Sequence, residues 1–150
     1  MTTFIIRNYR HEDLQALVQL VNEADQVDDA GFATTVAGME HRLAAPGVKP
    51  TENVFLAEQN GRLIGYVRVY LRNEESYDRV GAIGIVHPHW RRRGIGTALM
   101  QRAEERARQL RGDKPLFLEM NVRERVDGAV ELALSLGLQP VRYFFYMECH

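Results

Sequence analysis

The segment that most constrains this chain is Arg91-Arg92-Arg93-Gly94-Ile95-Gly96-Thr97. It follows an apolar run over residues 81–86 and leads into a long amphipathic segment, so it predicts a turn between a strand and a helix. The first N–H groups of a helix have no intrahelical acceptor, and the helix dipole adds positive potential there. Gly94 and Gly96 let an oxygen approach the main chain without meeting a Cβ. The segment therefore predicts a site for a phosphate-bearing ligand.

Two better-known phosphate motifs do not match this turn. The chain contains no Gly-x-x-x-x-Gly-Lys-Ser/Thr sequence, which excludes a P-loop. A Gly-x-Gly-x-x-Gly dinucleotide fingerprint would need glycine at position 99, where the chain has leucine. What remains is Arg-x-x-Gly-x-Gly, which gains meaning from its place between an apolar strand and an amphipathic helix.

Composition narrows the class of protein. A chain of 150 residues is expected to form a single domain over residues 1–150. A net charge of −1 argues against a nucleic-acid partner, because such proteins carry a broad basic excess. The single cysteine, Cys149, predicts a reducing, cytoplasmic setting, and the absence of an apolar run of about 18 residues predicts no membrane partner. Either a monomer or a homodimer is compatible with the sequence.

Hydrophobic periodicity predicts a mixed α/β architecture. The expected strands cover residues 4–6, 54–58, 63–71, 80–86, 116–122 and 141–147, and the expected helices cover residues 11–25, 35–43, 94–112 and 127–136. Asn60-Gly61 predicts a tight hairpin between the second and third strands. The order β-α-α-β-β-β-α-β-α-β, with hairpins followed by β-α-β units, predicts a mostly antiparallel mixed sheet with helices on both faces.

The segment Val86-His87-Pro88-His89-Trp90-Arg91-Arg92-Arg93-Gly94-Ile95-Gly96 resembles the acetyl-CoA-binding segment of GCN5-related N-acetyltransferases, and the resemblance extends over nearly the whole chain. It implies that main-chain amides hold the coenzyme A diphosphate, that the preceding strand pairs with the pantetheine arm, and that the fourth and fifth strands splay apart to admit the acyl group. The cofactor-binding residues that it implies are Gly84, Ile85, Val86, Arg91, Arg92, Arg93, Gly94, Ile95, Gly96 and Thr97.

The C-terminal part departs from the family pattern of Asn-x-x-Ala followed by Tyr and Gly-Phe. Ala129 and Gly137 match, but Val126, Ala133 and Leu138 replace the Asn, Tyr and Phe. In the family that tyrosine often protonates the leaving thiolate, so the usual general acid is missing here. Tyr143 and Tyr146, in the last predicted strand, are the candidate substitutes, although this aromatic strand could equally be core.

Acyl transfer to an amine also needs a proton acceptor, because an alkyl amine with a pKa near 10.4 is mostly protonated at neutral pH. Strand alternation predicts that Glu119 and Asn121 share one face, which suits proton removal through water, although a merely solvated polar face is equally compatible. His87 is a second titratable group at the end of a strand, with a structural role as its alternative.

The acidic residues Asp25 and Asp28, between the first two helices, are candidate substrate residues for an amine-bearing acceptor, since the resemblance places the acceptor pocket in that region. The histidines lack the paired spacing of a metal site, so no metal is predicted. The sequence thus predicts an acetyl-CoA-dependent N-acetyltransferase that transfers an acetyl group directly to a primary amine of a small molecule or peptide. The alternative is a catalytically weak acyl-CoA-binding regulatory domain.

Overall fold

The computed structural model describes residues 3–120, 122, 126 and 128–138. The strands are β1 (Ile5–Asn8), β2 (Val54–Gln59), β3 (Arg62–Asn73), β4 (Asp78–Val86) and β5 (Leu116–Met120). The helices are α1 (Leu14–Asp28), α2 (Val36–Leu43), α3 (Pro50–Asn53), α4 (Ile95–Leu110) and α5 (Ala129–Ser135). The strand predicted over residues 141–147 lies outside the described residues.

The strands form one sheet in the order β1-β2-β3-β4-β5, and the prediction of a mixed sheet is confirmed. Neighbouring strands are antiparallel except β4 and β5, which are parallel. Asn60 and Gly61 both adopt positive φ angles, of 50° and 80°, as the tight turn of a two-residue hairpin requires. No helix within the described ranges has the length and apolar character needed to cross a membrane.

Each face of the sheet carries its own core. The helices α1 and α2 pack on one face, where the sheet contributes Val54, Leu56, Leu63 and Ile85. Helix α4 packs on the other face, against Phe55, Ala57, Val67, Val69, Val80 and Ala82. Neighbouring residues of β2 therefore enter opposite cores, which is the alternation expected of a strand covered on both sides. The prediction of helices on both faces is confirmed.

The helices differ from the sequence-based expectation in two respects, the end of α1 and the presence of α3. Helix α1 continues to Asp28, through part of the segment expected to be a loop, and ends where Asp29 adopts a left-handed conformation with a φ angle of 47°. Helix α3 is an additional short helix, and it begins at Pro50, whose ring presets a helical φ angle at the first position. This extension of α1 brings its last residue, Asp28, close to the turn that precedes α4.

The sheet opens between β4 and β5. Their pairing runs from Asp78 opposite Leu116 to Ala82 opposite Met120, whereas β4 continues to Val86. Gly84 lies in this continuation, and a Cβ built on it would be 2.2 Å from the carbonyl oxygen of Tyr66 in β3. The main chains of β3 and β4 thus leave no room for a Cβ at Gly84, where β5 has separated from β4.

We predict that Gly84→Ala disturbs this part of the sheet, because the added methyl meets rigid main chain instead of a flexible side chain. We expect a loss of roughly 1–3 kcal/mol in the free energy of unfolding, measured by urea denaturation. Gly112→Ala is the control, since a Cβ at that exposed position has no neighbour within 4 Å. Equal stability of the two variants would contradict this interpretation of Gly84.

Candidate active site

A cavity of about 390 Å³, called here the gap cavity, lies where β4 and β5 separate. Its walls come from the end of β4, the turn before α4, the first turns of α4, and α5. Most of the residues implied by the family motif line it, namely Gly84, Ile85, Val86, Arg91, Arg92, Gly94, Gly96 and Thr97. The fold therefore brings together the end of the strand and the turn that the sequence singled out.

The turn before α4 exposes main-chain donors to this cavity. Arg92 and Gly94 both adopt left-handed conformations, with φ angles of 62° and 83°. Gly94 is the N-cap of α4, and its carbonyl accepts the first helical hydrogen bond, from Ala98, at 3.0 Å. A Cβ on Gly94 would have no neighbour within 4 Å, so the space in front of this turn is open to a ligand. Such an arrangement, at a helix N-terminus, is suited to binding an anion.

The other residues of the motif differ in what they contribute. The Ile95 side chain is buried in the core beneath α4, so only its main chain can face a ligand. Arg93 is exposed and is not part of the cavity wall. A Cβ on Gly96 would lie 2.9 Å from Leu132 Cδ2, which shows that Gly96 also allows α5 to pack closely against the start of α4.

The Arg91 side chain has a structural role that the sequence did not indicate. Its Nη1 and Nη2 atoms donate to the two carboxylate oxygens of Asp28 at 2.8 and 2.5 Å, and its Nε donates to the Val86 carbonyl at 2.9 Å. This bidentate pair joins the end of α1 to the end of β4, and both side chains are about nine-tenths buried. The Arg91 guanidinium is thus engaged within the protein.

The carboxylates of Asp25 and Asp28, the candidate substrate residues, both have partners within the protein, and their role toward a substrate stays a prediction. Asp28 is buried and neutralised by Arg91. Asp25 Oδ1 accepts hydrogen bonds from the main-chain N–H groups of Phe32 and Ala30, each at 3.0 Å. These bonds, that from Phe32 above all, hold the pKa of Asp25 below its usual value. Both carboxylates shape the loop after α1, and neither lines the gap cavity.

His87 is likewise engaged in a structural contact. Its Nδ1 accepts from the main-chain N–H of His89 at 3.2 Å, so the ring proton lies on Nε2, which donates to Glu23 at 2.9 Å. Burial lowers the pKa of His87 below its usual value, in spite of the opposing effect of Glu23. A neutral, doubly hydrogen-bonded imidazole connects the end of β4 to α1, in agreement with the structural alternative.

Tyr66 is a site residue that sequence reasoning missed. It lines the gap cavity, and it also lines a second cavity of about 240 Å³ on the α1–α2 face of the sheet. Burial raises the pKa of its phenol, although the cationic side chains of Arg68 and Arg42 act in the opposite direction. The available signal was the alternation of polar residues Tyr66, Arg68 and Tyr70 with the valines of β3.

Glu119 lies on the face opposite α4, as strand alternation predicts, but it belongs to the wall of neither cavity. Its carboxylate accepts from Arg79 Nη1 at 3.2 Å, and 43% of its side chain is exposed. Its role as a proton acceptor stays a prediction. Asn121, Tyr143 and Tyr146 lie outside the described residues.

The sheet that opens between β4 and β5 and the glycine turn at the start of α4 are the two features that the resemblance to the GNAT family leads us to expect. Residues 14–138 match the model of the acetyltransferase (GNAT) family, and the chain belongs to this family. The mycothiol acetyltransferase of Geodermatophilus obscurus is 31% identical over 145 residues, which cover 86% of this chain and 44% of that relative. This chain thus spans less than half the length of that relative.

Solved structures agree with the family at the level of fold. A GCN5-related N-acetyltransferase from Sphaerobacter thermophilus superimposes with a TM-score of 0.80 at 22% identity, over 95% of this chain and 46% of that chain. An aminoglycoside N-acetyltransferase in complex with CoA superimposes with a TM-score of 0.71 at 16% identity, over 100% of this chain and 97% of that chain. The prediction of a GNAT-like fold is confirmed.

We predict that Asp28→Asn strongly destabilises the protein, because it leaves the buried Arg91 guanidinium without its negative partner. The expected loss is about 3–5 kcal/mol in the free energy of unfolding, measured by urea denaturation. Glu104→Gln is the matched control, since it removes a carboxylate from an exposed pair with Arg108 and should cost less than about 1 kcal/mol. Similar losses in the two variants would mean that the Asp28–Arg91 pair carries little energy.

Proposed function

We propose that this protein is an N-acetyltransferase that uses acetyl-CoA and transfers the acetyl group directly to a primary amine of a small molecule or peptide. The observation that carries the proposal is the gap cavity, which joins the open end of β4 to the N-terminus of α4. An anion-binding turn at one end of an apolar cleft suits a ligand that carries a diphosphate on a long neutral arm.

The residues of the cavity fit coenzyme A in charge and in shape. The turn at Arg92 and Gly94 would hold the diphosphate through main-chain N–H groups, with Arg92 supplying positive charge. The His87 N–H donates to the Ile64 carbonyl in β3 at 2.8 Å. Because main-chain groups of successive strand residues point to opposite sides, the N–H and C=O groups of Val86 point away from β3, toward the gap. Because Arg91 already occupies the Val86 carbonyl, the Val86 N–H is the group left for the pantetheine arm or the acyl oxygen.

The acetyl thioester supplies an activated acyl group, and the protein has to orient it and an amine. In the overall reaction a bond forms between the amine nitrogen and the acyl carbon while the C–S bond breaks. One proton leaves the nitrogen and one proton is bound by the released thiolate. Positioning alone can supply much of the rate, and a main-chain N–H of β4 that faces the gap can stabilise the oxyanion.

Tyr66 is the described residue best placed to donate a hydrogen bond or a proton in this region. Tyr66 lines the gap cavity, and burial raises the pKa of its phenol, so the phenol is protonated at neutral pH. It could therefore take the part for which Tyr143 and Tyr146 are the sequence-based candidates. Glu119, as the proton acceptor, would act from outside the cavity wall and would depend on bound water.

We predict that Gly94→Ala weakens the binding of coenzyme A, because a Cβ would enter the open space in front of the turn and strain the left-handed main chain. Titration calorimetry should show a dissociation constant raised about tenfold or more for coenzyme A, with little change for pantetheine, which lacks the diphosphate. Gly47→Ala is the matched control, since Gly47 has a φ angle of 86°, also has open space around it, and lies in a loop after α2. An equal loss in both variants would place the diphosphate elsewhere.

We predict that Tyr66→Phe lowers kcat by about tenfold or more in a thiol-release assay with a panel of amines, while the acetyl-CoA dissociation constant stays within about twofold.

In the same assay Glu119→Gln should reduce turnover most at low pH, if Glu119 accepts the proton. An unaltered pH–rate profile of Glu119→Gln would remove it from the mechanism. Tight acetyl-CoA binding without turnover of any amine would favour the regulatory-domain alternative.

A further inference from the structure

The second cavity, called here the arginine cavity, has a volume of about 240 Å³ and lies between the helices α1 and α2 and the sheet. Arg42 of α2 and Arg68 of β3 form part of its wall, and Leu17, Met39, Leu43 and Val54 provide apolar surface. Among the residues that the structure describes, its wall contains two cations and no carboxylate. The cavity therefore has a definite charge and an apolar floor.

These two arginines differ from the structural arginines of the protein. Arg7 and Arg91 each pair with a carboxylate at 2.8 Å or less, whereas Arg42 and Arg68 form no ion pair within the described part of the chain. The Nε atom of Arg68 is also buried without a hydrogen-bond partner there. The cavity wall thus presents two guanidinium groups whose charge no carboxylate of the described wall residues offsets, and an anion in the cavity would offset it.

The arginine cavity adjoins the gap cavity. Phe32, Tyr66 and Ile83 line both cavities, so the two cavities are neighbours that meet at these residues. Both Arg42 and Arg68 lie close enough to Tyr66 to act on its phenol electrostatically. A group held by the two arginines is thus held next to the place where an amine would meet the thioester.

We infer that the acceptor is a primary amine that carries a carboxylate, with a free amino acid of apolar side chain as the class that fits; this inference rests on the proposed acetyltransferase function. A carboxylate matches the planar donors of a guanidinium, and the apolar wall accommodates an aliphatic side chain. The volume is below the roughly 300–1,000 Å³ typical of sites for drug-sized ligands, which favours a small acceptor.

The same charges explain how such an amine could be activated. Two nearby cations disfavour the protonated amine, so they lower its pKa and raise the fraction of neutral nucleophile. They also disfavour acceptors with several positive charges, such as polyamines. A carboxylate on the acceptor compensates for this repulsion during binding, and the amino group then faces the gap cavity.

The test compares acceptors that share a primary amine and the leucine side chain but differ in whether, and where, they carry a carboxylate. Leucine, leucinamide, 3-methylbutylamine and the dipeptide Leu-Gly are offered with saturating acetyl-CoA, and thiol release gives kcat/KM for each. We expect leucine to exceed leucinamide and 3-methylbutylamine by about tenfold or more, as for a charge-assisted hydrogen bond. Leu-Gly separates the two possible sources of the carboxylate, because efficient use of it would point to a peptide terminus instead of a free amino acid and would overturn the amino-acid class.

Variants connect the preference to the cavity. Arg68→Gln and Arg42→Gln should each bring the ratio of kcat/KM for leucine over leucinamide close to one, whereas Arg72→Gln should preserve it. Arg72 is the matched control because it lies on β3, as Arg68 does, but is not part of the cavity wall. Its guanidinium faces the Tyr70 ring at 5.4 Å. Since Arg42 lies on an exposed helix position, its variant is informative even if Arg68→Gln fails to fold.

Binding measurements separate this inference from the proposed function. Calorimetry with leucine, in the presence of coenzyme A, should detect binding that Arg68→Gln or Arg42→Gln weakens. Leucine binding with this arginine dependence but without turnover would support the carboxylate site and contradict acetyl transfer. Absence of leucine binding would overturn the carboxylate site. Turnover of leucinamide or 3-methylbutylamine at least equal to that of leucine would also overturn it, but would leave acetyl transfer standing.

Discussion

The arrangement of the site depends on the Arg91 guanidinium, which joins three parts of the chain that are distant in sequence. It donates hydrogen bonds to Asp28 at the end of α1 and to the Val86 carbonyl at the end of β4, and it belongs to the turn that precedes α4. Because this pair is largely buried, it places the turn against the sheet with a defined geometry. The open end of β4 and the N-terminus of α4 then face the same cavity.

Residues of β3 and β4 line both the gap cavity and the arginine cavity. At Gly84 the two strands approach so closely that a Cβ would clash with the Tyr66 carbonyl, and at this level β5 no longer pairs with β4. Tyr66, opposite Ile85, is exposed to the gap cavity on one side and to the arginine cavity on the other. A single close contact between strands thus lies beside the opening between β4 and β5 and beside the proposed acceptor site.

Sequence patterns predicted well those features that depend on neighbours along the chain. The Asn60-Gly61 hairpin, the alternation in β2 and the amphipathic face of α4 all depend on local periodicity, and the structure has each of them. The partners of the acidic residues at the end of α1 could not be predicted in this way. A carboxylate looks the same in the sequence whether it faces solvent or, like Asp28, a buried guanidinium that lies 63 positions away.

What the sequence determined by itself is the order of elements and the chemistry of one turn, because glycine conformation and helix-end donors are local properties. Tertiary structure alone decided which arginines of the described residues form an ion pair with a carboxylate and which do not. Arg91 and Arg68 are both largely surrounded by protein, yet one meets Asp28 and the other faces a cavity without a carboxylate among the described residues. The difference arises because pairing of charges depends on distances across the sheet, which residue spacing along the chain does not encode.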